Sequence, residues 1–131
     1  MRIIKFRGKD IETSEWVYGD LIQRIGYMPS IMFPYESNGK IKFAETAVKR
    51  ETIGQYTGLK DKNGVDIYEG DILAKENERD KYVIVWNEYY SQFQGLWRKN
   101  PLTAVNIYSM ISLGYKVIGN IHDNPELLKG E

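Results

Sequence analysis

The stretch Ile53-Gly-Gln-Tyr-Thr-Gly-Leu-Lys-Asp-Lys-Asn-Gly-Val-Asp-Ile-Tyr-Glu-Gly-Asp-Ile-Leu73 threads Gly, Asp and Asn between strand-forming Ile, Val, Tyr and Leu. Gly adopts positive φ without a steric penalty, and Asp or Asn side chains bond their own turn's backbone, so the chain is expected to reverse at Asp61-Lys-Asn63-Gly64. Segments this short between turn signals suit strands better than helices. Val17-Tyr-Gly-Asp-Leu-Ile22 and Ile67-Tyr-Glu-Gly-Asp-Ile-Leu73 echo each other, and in both Gly-Asp reads as a bend that starts a strand.

The same pattern covers most of the chain. Strands are expected at Arg2 to Phe6, Trp16 to Gln23, Ile31 to Phe33, Lys40 to Phe43, Ile67 to Tyr68, Asp71 to Lys75, Lys81 to Asn87 and Tyr115 to Ile121, with a weaker signal over Thr46 to Tyr56. Asn38-Gly39 is the strongest short-range hairpin dipeptide, because both residues tolerate positive φ. Tyr82-Val-Ile-Val-Trp86 is apolar at both alternating positions, so this strand needs cover on both faces. Asn100-Pro101 and Gly114 suit the ends of one helix of about twelve residues. The fold class is therefore mainly β: a small barrel-like domain of about eight short strands with one short helix. It is read as a single domain over residues 1–131, which two half-domains could build.

Composition removes several functions. The 131 residues carry 18 Lys+Arg against 18 Asp+Glu, so no global field draws the chain to nucleic acid or an anionic membrane. With no cysteine and one histidine, Cys-based zinc, iron–sulfur and thiol chemistry are excluded. No run approaches the roughly 18 apolar residues of a membrane span, and Met1-Arg-Ile-Ile-Lys-Phe-Arg7 lacks the apolar core of a signal peptide. A cytoplasmic location and no membrane partner are expected.

Candidate chemistry is sparse. Asp61, Asp66, Glu69 and Asp71 suggest oxygen ligands for a divalent cation, but an EF-hand loop counted from Asp61 meets Val65 at its fifth position and Ile72 at its twelfth. Asp61 and Asp71 are better explained as residues that bond turn amides. His122 beside Asp123 could form an acid–base dyad only where the chain turns, since neighbours on a strand point to opposite faces. None of Ser14, Ser30, Ser37, Ser91, Ser109 and Ser112 stands in a Gly-x-Ser-x-Gly elbow, and the glycines match no phosphate-binding loop. No catalytic residue, metal or cofactor is assigned.

Lys5-Phe-Arg-Gly8, Trp16-Val-Tyr-Gly-Asp20, the Ile53 to Gly64 run, Ile67-Tyr-Glu-Gly-Asp-Ile72, Val117-Ile-Gly-Asn-Ile121 and Asn124-Pro-Glu-Leu127 together resemble the YopX-like family of phage and prophage proteins. The resemblance implies a small β-rich protein made in a bacterial host, with no catalytic motif to carry over. Gln23 to Lys49 and Asn87 to Leu113 depart from that pattern, which is where this chain's own specificity is expected.

Tyr82, Trp86, Tyr89, Tyr90, Phe93 and Trp97 are followed by Arg98 and Lys99. Tyr82 and Trp86 belong to the doubly apolar strand and are expected in the core. Tyr89, Tyr90, Phe93 and Trp97 alternate with Ser91, Gln92, Gln94 and Gly95 in what reads as a polar loop, and cannot all be buried. Exposed rings beside cations suit a protein-binding hot spot and also the stacking of single-stranded nucleic acid, and the balanced charge favours the protein surface. The expected binding residues are Tyr89, Tyr90, Phe93, Trp97, Arg98 and Lys99. The leading reading is a non-enzymatic interaction module that engages itself, as a homo-oligomer, or a host protein. Single-stranded nucleic acid or RNA binding, with help from Arg2, Lys5 and Arg7, is the alternative, and a metal-dependent hydrolase is a remote third.

Overall fold

The computed structural model describes residues 1–129. The chain forms two compact units, Met1–Tyr56 and a second from Thr57 onward.

In the first unit β1 (Phe6–Lys9), β2 (Trp16–Ile22), β3 (Ser30–Ser37), β4 (Lys40–Ala47) and the start of β5 (Gly54–Lys60) form an antiparallel sheet in the order β4-β3-β2-β1-β5. The expected hairpin turn is present: Ser37 pairs with Lys40, and Asn38 and Gly39 take φ of 52° and 76°. A side chain of local reach closes the β1–β2 loop, where the Asp10 carboxylate accepts from the Glu12 and Thr13 amides and from the Thr46 hydroxyl. These bonds hold the Asp10 carboxyl below its ordinary pKa, the Thr13 amide first among them. Ile31 and Val48 are fully buried in this unit.

Gly19-Asp20 does not start a strand, contrary to expectation; it lies in the middle of β2. Gly is required there because a Cβ would fall 2.1 Å from the Met32 carbonyl oxygen of β3. Gly70-Asp71 does act as expected, with Gly70 at φ 92° and β7 beginning at Asp71.

In the second unit β6 (Asp66–Tyr68) lies beside β5. A five-stranded antiparallel sheet follows, in the order β10-β9-β8-β7-β11, from β7 (Asp71–Ala74), β8 (Lys81–Asn87), β9 (Gln92–Trp97), β10 (Val105–Asn106) and β11 (Lys116–Asn120). The architecture is mainly β, as expected, and the strands form two antiparallel sheets with no closed barrel among the described residues.

Further expectations need correction, the first being that the opening strand is Phe6–Lys9 and not Arg2 to Phe6, since it is Phe6 to Lys9 that pair with β2. Gln92 to Trp97 is a strand, not a polar loop, because its poor strand formers have tertiary partners. Gln94, 8% exposed, accepts from the Asn87 side-chain amide at 2.8 Å, and a Cβ on Gly95 would come within 2.6 Å of the Met110 sulfur. The expected helix of about twelve residues is instead a 3-10 turn (Pro101–Thr103), β10 and a short α1 (Ile107–Ser112). Two caps divide it: the Asn100 side chain accepts from the Leu102 amide, and the Asn106 side chain accepts from the Ser109 amide. Between them Val105 and Asn106 pair with Gly95 and Gln94. Gly114 follows the helix at φ 97°, the left-handed exit expected of it.

The core of this unit is Ile67, Leu73, Ile84, Ile107 and Met110. Met110 seats where Gly95 leaves room, which brings α1 down onto β9. Gly95→Ala is expected to lower stability by about 1–3 kcal/mol through overpacking against Met110, read from the denaturant midpoint. Its cost and that of Met110→Ala should be non-additive, since the two share one volume.

Candidate interaction surface

The β8–β9 hairpin places the aromatic residues. Its register pairs Tyr82 with Trp97, Ile84 with Gly95 and Trp86 with Phe93, so these side chains share the face that covers the core. Tyr82 and Phe93 are partly buried against that core. Trp86 was expected in the core, but it is 42% exposed, packed edge-on to Phe93 with centroids 4.8 Å apart. It sits at the open end of the strand, beside the turn.

Tyr89 and Tyr90 lie in that turn, 87% and 66% exposed, with their rings perpendicular at 4.9 Å. The turn is pinned from within: the Asn87 carbonyl oxygen of its side chain accepts from the Tyr90 amide, while its NH2 group donates to Gln94. Ser91 takes the left-handed conformation at φ 51° and returns the chain into β9. Two large rings are thus held in solvent at the tip of a paired hairpin.

The six expected binding residues do not make one cluster. Three strand residues separate Phe93 from Trp97, four steps that rise about 13 Å. Trp97 and Arg98 form their own group at the other end of the hairpin, with the guanidinium 4.4 Å from the indole centroid. The Trp97 Nε1 is buried without an acceptor among the described residues. Trp97 O accepts from the Asn100 amide at 3.0 Å, closing a turn in which Arg98 and Lys99 have φ of 53° and 54°.

The opposite face of β8 is also used. Val83 and Val85 line a pocket of about 710 Å³ with Leu96, Lys99, Ile121, Pro125, Leu128 and Lys129. Residues 121–129 carry a 3-10 turn (Pro125–Leu128). The double apolar pattern of β8 announced that some cover was needed, but not that this tail would supply part of it.

Acidic candidates have structural partners. Asp61, 5% exposed, accepts from the Asn63 and Val65 amides with one oxygen and from the Val117 amide of β11 with the other. Asp71 accepts from the Tyr68 amide at 2.7 Å, and Asp66 pairs with Lys60. Among the described residues no group of three His, Asp or Glu side chains is placed to hold a metal. At His122 the chain does turn: the Asn120 side chain accepts from both the His122 and Asp123 amides and donates to the Asp123 carboxylate.

In the first unit the basic residues of β1 lie over rings of their own chain, Arg7 and Lys9 over Trp16 and Lys5 over Tyr56. The loop between β2 and β3 exposes Ile25, Tyr27 and Met28. It is anchored where Arg24 grips Glu45 with both terminal nitrogens, at 2.8 and 3.2 Å, and the Ser30 hydroxyl donates to the same carboxylate.

The YopX protein family matches residues 5–129. No curated protein matches the chain. The crystal structure of protein EF1440 from Enterococcus faecalis is similar to it at 32% identity and a TM-score of 0.62, over 98% of this chain and 100% of that one. Neither match specifies an activity. Among the described residues no helix is long and apolar enough to cross a membrane.

Two outcomes are expected. Asp61→Ala strands three backbone donors and should cost about 3 kcal/mol, read by denaturant unfolding. Hydrogen bonds from Arg24, then Ser30, lower the Glu45 pKa from 4.5 to about 2. Because the folded value is the lower one, the stabilisation is complete above pH 4.5 and is lost as pH falls toward 2. A melting-temperature series should show that acid slope in the wild type and a shallower one in Glu45→Gln.

Proposed function

Because the chain belongs to the YopX family, which supplies no catalytic motif to transfer, we propose that it is a non-enzymatic phage or prophage accessory protein that works by binding protein. Its contact surface is the tip of the β8–β9 hairpin. The observation that carries this reading is the Tyr89–Tyr90 pair, two rings packed on each other and exposed to solvent at 87% and 66%. Tyr gives large contact area for two side-chain torsions, and exposed aromatic groups of this kind mark binding hot spots. Trp86 and Phe93 extend the apolar area down one side of the tip.

The occupant is a protein surface, either a second copy of this chain or a host protein. Balanced charge and the stacking of Lys5, Arg7 and Lys9 on the chain's own rings favour protein over nucleic acid. Tyr89→Ala/Tyr90→Ala should leave the thermal midpoint within a degree or two, since neither ring contributes to the core. The double variant is expected to weaken self-association or host-protein capture by about 100-fold, roughly the loss of two hot-spot residues at reduced additivity. Sedimentation and pull-down read the two arms. Unchanged values in both would overturn the reading. Oligonucleotide binding that falls steeply with salt would transfer the surface to single-stranded nucleic acid.

A further inference from the structure

The pocket on the outer face of β8 and β9 has a second character beside its apolar wall. Val83, Val85, Leu96, Ile121 and Leu128 supply the wall, and Lys99 and Lys129 line it as well. A smaller pocket of about 150 Å³ shares Val83, Lys99 and Leu128 with it and adds Arg98. Among the described residues no acidic side chain lines either one. Three cations therefore stand at an apolar concavity whose volume lies within the roughly 300–1,000 Å³ of small-molecule sites.

Two of those cations are held at a conformational cost. Arg98 and Lys99 occupy successive left-handed positions, with φ of 53° and 54°. The same chain solves the same turn without strain at Asn38-Gly39. A turn that keeps Arg-Lys where Asn-Gly would be relaxed retains charge at the expense of local stability, a pattern typical of binding sites.

We propose that this pocket binds a soluble alkyl carboxylate, with the chain against the valines of β8 and the carboxylate facing Lys99 and Arg98. The site is separate from the hairpin tip and survives failure of the tip as an interaction surface. Calorimetric titration with octanoate and decanoate tests it. Each buried methylene tightens binding about fourfold, so decanoate should bind roughly fifteenfold tighter than octanoate. Decanol should bind about fivefold more weakly than decanoate, the contribution of exposed cations to a carboxylate.

Arg98→Asn/Lys99→Gly rebuilds the turn with relaxed residues and removes two charges. Its melting temperature should equal or exceed that of the wild type. Decanoate should then bind no better than decanol, whose affinity stays the same. Tyr89→Ala/Tyr90→Ala should leave decanoate binding intact. Absence of saturable decanoate binding, or equal affinity for decanoate and decyltrimethylammonium, would overturn the proposal. So would retention of the decanoate preference in the turn variant.

Discussion

A strand with apolar side chains on both faces has to be covered twice, and β8 imposes that requirement on the second unit. On one side Ile84 packs into the core with Leu73, Ile107 and Met110. On the other, Val83 and Val85 line a pocket whose remaining wall is Leu96 with Ile121, Pro125 and Leu128 of the tail. Fully burying such aliphatic side chains is worth about 1.5–3 kcal/mol each, more than a surface turn contributes. The strand pair is consequently held from both sides, and what projects from its ends is held with it.

The family pattern is a scaffold pattern. Its Asp and Gly residues in the Ile53 to Leu73 stretch set turns: Asp61 gathers three amides, Asp71 caps Tyr68, and Gly70 takes the left-handed exit. The exposed rings of Tyr89 and Tyr90, the strained Arg98-Lys99 turn and the Ile25 to Met28 loop all lie outside that stretch.

Where structure follows from chemistry within a few residues, it was legible in the sequence. Asn38-Gly39, the Asp61 turn, the Gly114 exit and the two-sided burial of β8 are of this kind, because each depends on local φ or on side-chain alternation. β9 was not legible. Gln94 and Gly95 disfavour strands on their own, and only Asn87 across the hairpin and Met110 of α1 make them fit. The single long helix failed for a related reason, since Asn106 caps a later start and β9 recruits Val105. Exposure of Tyr89 and Tyr90 was readable from their polar neighbours. The division of the aromatic run between two ends of a hairpin depended on finding β9 first.

Hydrogen exchange in the native state tests the two-sided burial of β8 most directly. The amides of Val83, Ile84 and Val85, laddered to β7 and β9, should exchange only through global unfolding, while those of Glu88 to Ser91 exchange orders of magnitude faster. Exchange of the β8 amides at rates close to those of the turn would show that the strand is not held from both sides. The rigid presentation of the tip, and the pocket wall behind it, would then have no basis.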